Sequence, residues 1–210
     1  MHPDAECLRH ELRQKAREAR RALNTDEREH AALALRDRLH DLPVFAQAGR
    51  VGGYAAVASE MSLAPTLDEV LRRGRSVYLP HIEHSAPDMR FAHWCGQAKR
   101  LMTNRFGIPE PLVDVAELVP ADSMDVILLP LLAFDDAGGR LGSGAGFYDR
   151  ALAFRRTQVP PPWLIGIGYA CQEVERIPMA EWDVPLDLVV TEREVIVVGA
   201  SQRSPLAAND

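Results

Sequence analysis

The stretch RLGSGAGFYDR, residues 140–150, is the part of the sequence from which both the fold and a binding site are predicted. Three glycines at alternate positions allow positive φ at little cost and let backbone N–H groups approach a ligand closely. Residues 126–134 before it form an apolar run typical of a buried strand, and residues 147–155 after it have helical spacing without a breaker. A strand, a glycine loop and a helix start in this order form a recurrent anion-binding arrangement.

The glycine spacing alone leaves two interpretations open. G-x-G-x-G is not a P-loop, because no Lys-Ser/Thr pair follows, and it is not the dinucleotide fingerprint, whose second glycine gap is longer. A structural turn is therefore one interpretation. Arg140 before the loop and Asp149 after it add a guanidinium suited to phosphate and a carboxylate able to bind a metal. These flanking residues favour a phosphate-binding loop.

Strands and helices alternate along the rest of the chain. Helices are predicted at residues 4–23, 26–42 and 65–73, and strands at 50–54, 76–79, 89–94, 125–130, 132–135, 163–168, 188–191 and, at an edge, 195–198. This alternation predicts an α/β domain with a largely parallel sheet covered on both faces. We expect residues 1–200 to form a single domain and residues 201–210 a flexible tail.

Composition narrows the function classes. The chain has 210 residues with 47% hydrophobic and 26% charged residues, as expected for a globular protein. Its net charge of −6 disfavours binding to a nucleic-acid backbone. The sequence contains neither a secretory signal nor an apolar run long enough to span a bilayer, so no membrane partner is expected. Three widely spaced cysteines predict no disulfide framework, and we expect a cytoplasmic protein.

Charged residues outside the glycine loop offer further candidates. Arg9, Arg13 and Arg17 form a basic stripe on the first helix, which is either a solvated face or a surface for an anion. Glu60 follows the first strand, where ligands bind in open parallel sheets, although a loop acid is often only solvated. His81 and His84 are three residues apart, but the prolines around them predict a loop and disfavour a metal site on a helix.

The stretch RLGSGAGFYDR, with PLLAFD at residues 130–135 before it, resembles the signature of the 5-formyltetrahydrofolate cyclo-ligase family, also called methenyltetrahydrofolate synthetases. The resemblance extends to RHELR at residues 9–13, FGIPEP at 106–111 and WDVPLDLVVTE at 182–192, and so covers about residues 8–192. It implies a three-layer α/β/α sandwich with a mostly parallel sheet. It also implies conversion of 5-formyltetrahydrofolate to 5,10-methenyltetrahydrofolate with ATP and Mg²⁺, releasing ADP and phosphate.

The resemblance assigns roles to residues that match the family's motifs. The implied ATP-binding residues are Arg9, Arg13, Gly139, Arg140, Leu141, Gly142, Ser143, Gly144, Ala145, Gly146, Phe147 and Tyr148. The implied folate-binding residues are Tyr54, Ala55, Glu60 and Met61, and the implied magnesium ligands are Asp149 and Asp183. Arg140 and Tyr148 are the implied catalytic residues, in a mechanism that phosphorylates the formyl oxygen before the ring closes. The expected partners are the two small-molecule substrates, with the protein a monomer or a weak homodimer.

Two other functions remain open from the sequence. One is an ATP-dependent kinase or ligase that acts on another small acid. The other is a non-catalytic regulator that binds nucleotide or folate. The second alternative depends on Ala145, where family members often have Gly or Lys, and on Trp182, where many have His.

Overall fold

The structure, a computed structural model, describes residues 3–83, 89–97 and 100–199. The predicted tail at residues 201–210 and His84 of the predicted histidine loop lie outside the described residues. Within the described part of the chain, every helix is too short or too polar to span a bilayer.

The described residues form five α-helices and eleven β-strands. The helices are α1 (Pro3–Ala22), α2 (Thr25–Asp41), α3 (Pro43–Ala46), α4 (Ala64–Arg72) and α5 (Phe147–Ala151). The strands are β1 (Arg50–Gly52), β2 (Ser76–Ile82), β3 (Met89–Trp94), β4 (Leu101–Thr103), β5 (Pro109–Pro111), β6 (Val126–Pro130), β7 (Ala133–Phe134), β8 (Arg140–Leu141), β9 (Trp163–Ile167), β10 (Leu188–Val190) and β11 (Val195–Val197). Short 3₁₀ turns occur at Val115–Glu117, Ala121–Ser123, Ala153–Arg156 and Ala170–Gln172.

A seven-stranded sheet forms the centre, in the order β11-β10-β9-β6-β1-β2-β3. Its five inner strands are parallel to their neighbours, whereas β3 and β11 pair antiparallel at the two edges. The edge strand expected near residue 195 is therefore confirmed. Two small hairpins, β4-β5 and β7-β8, lie outside this sheet.

Both faces of the sheet are buried, as the apolar character of its strands predicts. In β6, Val126 and Leu128 join a core with α2, α3 and α4, and Ile127 and Leu129 join a second core on the other face. The second face is covered by α5, 3₁₀ turns and connecting segments. The predicted α/β fold with a mostly parallel sheet is confirmed, with a thinner helical layer on that second face.

The start of α2 follows the sequence prediction. Asn24 accepts a hydrogen bond from the Glu27 N–H at 2.9 Å through its side chain. The Glu27 carboxylate accepts one from the Asn24 N–H at 2.8 Å, which completes a capping box. Pro43 then begins α3 directly after α2 ends.

The strand predicted at residues 76–79 was expected to stop before Pro80, but β2 continues through this proline to Ile82. Pro80 is paired with Phe91 of β3, and the backbone N–H and C=O of Phe91 are both bonded to Val119 instead. Pro80 thus occupies a pair that makes no inter-strand hydrogen bond, where its missing N–H removes nothing from the ladder.

The expected direct order of strand, glycine loop and long helix is also corrected. β6 ends at Pro130, and the β7-β8 hairpin intervenes before the glycine loop. The helix after the loop has only the five residues of α5, and the chain then tightens into a 3₁₀ turn at Ala153–Arg156. Tertiary contacts favour this turn, because Leu152 is fully buried and Arg155 forms a two-bond ion pair with Asp187.

Candidate functional site

A cavity of about 480 Å³ opens beside the carboxyl ends of β1, β2 and β6. Its walls include one face of α1, the segment after β1, the glycine loop with α5, and the segment around Asp183. Pro80 and Ile82 of β2, with Pro130 of β6, form part of its apolar wall. This is the edge of a parallel sheet where ligands usually bind.

Most of the residues assigned through the resemblance line this one cavity. They are Arg9, Arg13, Tyr54, Ala55, Glu60, Arg140, Gly142, Ser143, Gly144, Ala145, Gly146, Phe147, Tyr148, Asp149 and Asp183. Gly139, Leu141 and Met61 do not line it. Leu141 and Met61 are buried in the core, and the Met61 carbonyl accepts a hydrogen bond from the Tyr54 hydroxyl at 2.7 Å.

The buried carboxylate of Asp135 builds the hairpin that leads to the glycine loop. It accepts hydrogen bonds from the backbone N–H groups of Ala137, Gly139 and Ile177 at 3.1, 2.7 and 2.8 Å. A Cβ at Gly139 would lie 2.7 Å from this carboxylate, so only glycine allows so close an approach. Asp135 thereby sets the direction in which Arg140 enters the site.

The glycine loop presents its backbone to the cavity. Gly144 and Gly146 have φ values of 108° and 68°, the left-handed region that favours glycine. Among the described residues, none accepts a hydrogen bond from the N–H groups of residues 143–146. The carbonyl of Gly142 accepts one from Arg13 Nε at 3.0 Å, which fixes the loop against α1. Free N–H groups held in this way can bind an anion.

Two buried ion pairs lie at the cavity wall. Arg9 binds both oxygens of Asp183, at 2.5 and 3.3 Å, and also the carbonyl of Pro178 at 2.9 Å. Arg140 binds Asp149 Oδ1 at 2.5 Å. Both carboxylates expected to bind magnesium are therefore paired with an arginine. Within the described residues, no group of three or more His, Cys, Asp or Glu side chains could hold a metal ion.

Glu60 occupies a half-buried position in the wall of the cavity. Its Oε2 accepts a hydrogen bond from the Val57 N–H at 2.9 Å. Burial raises the pKa of Glu60, although this hydrogen bond and the charge of Arg20 oppose the shift. Ala58, inside the same turn, has a φ of 54°, which strains a residue with a side chain. The turn holds Glu60 at the expense of local backbone strain.

The charges of Glu60 and Arg140 both act on the Tyr148 hydroxyl. Burial raises the pKa of Tyr148, the Glu60 charge raises it further, and Arg140 opposes the shift. Its buried hydroxyl has no hydrogen-bond partner among the described residues. A phenol that keeps its proton and has no internal acceptor is available to donate a hydrogen bond to a ligand.

Sequence reasoning did not assign several residues that the structure brings to the cavity. Arg20 is buried on α1 and donates to Ser59 Oγ at 3.0 Å. The sequence feature that could have indicated Arg20 is its position on the same helix face as Arg9 and Arg13, three residues after Arg17. Phe106 also lines the cavity and packs edge-on against Phe147, with 5.2 Å between ring centroids. Phe106 begins the FGIPEP motif, so its motif membership was the available signal.

Comparisons with known proteins give a consistent result. The sequence model of the 5-formyltetrahydrofolate cyclo-ligase family matches residues 6–192. A 5-formyltetrahydrofolate cyclo-ligase from Escherichia coli strain K12 is 36% identical over 180 residues, which cover 85% of this chain and 97% of that protein. The corresponding protein of Haemophilus influenzae is 31% identical over 184 residues, covering 87% and 97%.

A solved structure supports the same relationship. The NMR structure of Aquifex aeolicus 5,10-methenyltetrahydrofolate synthetase superimposes with a TM-score of 0.77 at 32% sequence identity. The match covers 96% of this chain and 100% of that structure. With a family match over most of the sequence, similar relatives of matching length and a shared fold, this chain belongs to the 5-formyltetrahydrofolate cyclo-ligase family.

Proposed function

We propose that this protein catalyses the ATP-dependent cyclisation of 5-formyltetrahydrofolate to 5,10-methenyltetrahydrofolate, with release of ADP and phosphate. One structural observation supports this proposal independently of family membership. A single cavity joins a cationic glycine loop, suited to a triphosphate, to an apolar wall with a carboxylate, suited to a reduced pterin. Both substrates of such a reaction must lie side by side, and this cavity offers complementary surfaces for each.

The ATP phosphates would lie at the glycine loop. The unbonded N–H groups of residues 143–146 support this assignment, since they converge with Arg13 and Arg140 on one side of the cavity. Arg9 completes the cationic wall and is held in place by Asp183. Backbone donors and guanidinium groups are the usual ligands of phosphate oxygens.

The folate would lie between the segment after β1 and the apolar wall. Glu60 would accept hydrogen bonds from N–H donors of the pterin ring, and the flat ring would pack against Ile82, Met89 and Ile108. Tyr54 would shape this end from below, because its hydroxyl is bonded to the Met61 carbonyl and its ring is buried. Met61 would then act through Tyr54 without touching the substrate.

Magnesium fits the site through Asp149 and the phosphates of ATP. Mg²⁺ prefers oxygen ligands and commonly uses one or two carboxylates together with substrate phosphates. Asp149 Oδ2 accepts no hydrogen bond from the described residues, whereas both oxygens of Asp183 are bonded to Arg9. We assign the metal to Asp149, and Asp183 to the positioning of Arg9. The bound ion would neutralise charge on the phosphates.

The reaction needs a better leaving group than hydroxide on the formyl carbon. A lone pair of the formyl oxygen forms a bond to the γ-phosphorus, and the bond from that phosphorus to the bridging oxygen breaks, with its electron pair leaving on ADP. The secondary amine of the folate then attacks the formyl carbon and loses its proton. Phosphate departs with the carbon–oxygen electron pair, which leaves the methenyl product. The chain's task is therefore positioning and charge stabilisation.

Arg140 and Tyr148 would act on the transferring group in this scheme. Arg140 carries its charge close to the loop and keeps an unbonded Nε besides the pair with Asp149. Tyr148 would donate its unpartnered O–H to a phosphoryl or formyl oxygen. Donors already in place when charge develops lower the barrier by about 3–4 kcal/mol each when well aimed.

The first experiment mixes purified protein with 5-formyltetrahydrofolate, ATP and Mg²⁺ and follows the absorbance of the methenyl product, with each component omitted in turn. We expect a rise only in the complete mixture, and loss of the rise with a chelator. A folded protein that binds ATP but gives no product would refute the proposal and favour a regulator. ADP release with another small acid, but not with folate, would favour a different kinase or ligase.

A matched pair of glycine variants tests the assignment of the loop. Gly144→Ala places a side chain on a loop backbone with a φ of 108°, and Gly74→Ala does the same at the end of α4, where φ is 74°. Both changes strain the backbone. Neither added Cβ lies within 4 Å of another atom, so steric clashes do not distinguish the two variants. We expect Gly144→Ala to raise the KM for ATP and Gly74→Ala to leave it unchanged. Equal effects of the two variants would remove the loop from the ATP site.

We further propose that the protein acts in a reducing compartment such as the cytoplasm, as a monomer or weak homodimer with small-molecule partners. The three exposed, free cysteines Cys7, Cys95 and Cys171 support the compartment. Sedimentation at several concentrations tests the oligomeric state. A dimer that persists at nanomolar concentration would contradict it.

A further inference from the structure

Arg17 lines the cavity with its guanidinium group unengaged by any other described residue. Among the described residues, its side chain has neither an ion pair nor a hydrogen bond. The other arginines of the cavity are engaged. Arg9 and Arg140 are paired with carboxylates, Arg13 donates to the Gly142 carbonyl, and Arg20 donates to Ser59 Oγ.

The place of Arg17 on α1 lies between the two ends of the cavity. Arg13, one turn earlier, is fixed to the glycine loop, and Arg20, one turn later, is fixed beside the turn that carries Glu60. At about 1.5 Å of rise per residue, Arg17 lies roughly 6 Å along the helix from Arg13 and roughly 4.5 Å from Arg20. A long arginine side chain at this position reaches the junction where ATP and folate would meet.

The arginines of α1 create a local excess of positive charge. Burial lowers the pKa of Arg13, and the charges of Arg9 and Arg17 lower it further. Burial likewise lowers the pKa of Arg20, with a smaller contribution from Arg17. Like charges held this close favour the binding of an anion between them.

We propose that Arg17 contacts the phosphoryl group while it passes from ATP to the formyl oxygen of the folate. This inference rests on the proposed function. As the bond to the bridging oxygen of ATP breaks and the bond to the formyl oxygen forms, negative charge spreads over the phosphoryl oxygens. The guanidinium group of Arg17 donates hydrogen bonds to those oxygens. An arginine without a carboxylate partner serves this purpose better than Arg140, whose charge Asp149 already offsets.

The magnitude follows from arginines that act in this way elsewhere. An arginine that stabilises phosphoryl transfer contributes roughly 10³–10⁵ in rate. We expect Arg17→Gln to lower kcat at least about 100-fold, because interactions made only in the transition state affect kcat. The KM values for both substrates and the Kd for ATP should change less than about threefold. Arg17→Lys should recover part of the rate, since it restores charge but not the planar donor geometry.

The control is Arg21→Gln, which removes an exposed arginine of α1 that does not line the cavity. Arg21→Gln should leave kcat unchanged. Because both variants remove one positive charge, this result would show that the effect of Arg17→Gln is local to the cavity and does not come from the change in net charge. Melting temperatures identify any variant that fails to fold. Arg17→Gln should melt no lower than the wild type, because it removes like-charge repulsion without breaking a bond.

Each other outcome overturns the inference. A weaker Kd for ATP with normal kcat would make Arg17 a nucleotide anchor, and a higher KM for folate alone would assign it to a carboxylate of the folate tail. Wild-type protein that forms the methenyl product, with Arg17→Gln equally active, would refute the role of Arg17 and leave the proposed function intact. Wild-type protein that forms no product would refute the proposed function and the inference together.

Discussion

Truncation of Arg9 should destabilise the protein more than a surface ion pair would. Arg9 and Asp183 are both buried, with side-chain exposures of 9% and 4%, and Arg9 makes three hydrogen bonds. In Arg9→Met the apolar stem remains, but among the described residues the Asp183 carboxylate keeps only the Ala180 N–H, at 2.8 Å, as a donor. Leaving one charge of a buried pair uncompensated costs about 3–5 kcal/mol.

Urea unfolding without ligands measures this loss, because bound ATP would add its own stabilisation. In thermal unfolding, the same loss of about 3–5 kcal/mol should lower the melting temperature of a protein of this size by about 6–20 °C. Asp183→Asn in the Arg9→Met background removes the buried charge, so the double variant should be more stable than Arg9→Met alone. The double-mutant cycle should therefore be strongly non-additive.

Two results would refute this reasoning. A loss below about 1 kcal/mol for Arg9→Met would place the pair in the range of solvated surface ion pairs. Additive effects of the two single substitutions would show that the side chains do not depend on each other. Hydrogen exchange of α1 identifies where the loss occurs, since Arg9 joins this helix to the segment of residues 178–183.

The remaining predictions concern three groups of the site. Tyr148→Phe should lower kcat by about 100–1,000-fold. It should not lower stability, because the removed hydroxyl has no partner among the described residues. Tyr78→Phe, outside the cavity, should leave kcat unchanged. Glu60→Gln should raise the folate KM. It should also stabilise the protein at neutral pH, because a carboxyl whose folded pKa is raised above 4.5 favours the folded state at low pH and loses that contribution as the pH rises through the folded pKa. Asp135→Ala should cost at least about 3 kcal/mol, since three backbone N–H groups lose a charged acceptor.

Kinetics and urea unfolding over a range of pH check these outcomes. A fully active Tyr148→Phe would remove the phenol from the reaction. A stability difference between Glu60→Gln and the wild type that does not change with pH would mean that the carboxyl titrates alike in both states. A small effect of Asp135→Ala would show that the hairpin before the glycine loop is held by other contacts.

The order of strands and helices was predictable because hydrophobic periodicity is a local property. β3, β9 and β10 occur within two residues of their predicted bounds, and the edge pairing of β11 followed from its short apolar run. Pro80 was misjudged because its cost depends on the pairing at that point of the ladder. Such pairing is a tertiary property that a local pattern does not contain.

The site was partly predictable for a similar reason. Residues of a compact motif, such as the glycine loop, could be grouped together from the sequence, and the structure places most of them at one cavity. Arg20 and Asp135 could not, because their roles come from contacts with Ser59 and Ile177, which are 39 and 42 residues away. A buried charge and a solvated one look alike in sequence, and only the fold distinguishes them.

The ion pair between Arg9 and Asp183 also has a consequence for biosynthesis. Its two partners are 174 positions apart, so α1 leaves the ribosome long before the segment that completes its site. Until that segment emerges, Arg9 lacks its carboxylate partner, although Ala16 of α1 can already pack against Leu132, Ala133 and Leu141. Chains stalled before residue 183 should therefore protect α1 from proteases less well than chains that contain this segment. The wall of the cavity at Arg9 is thus completed only when a segment made much later than α1 docks on that helix.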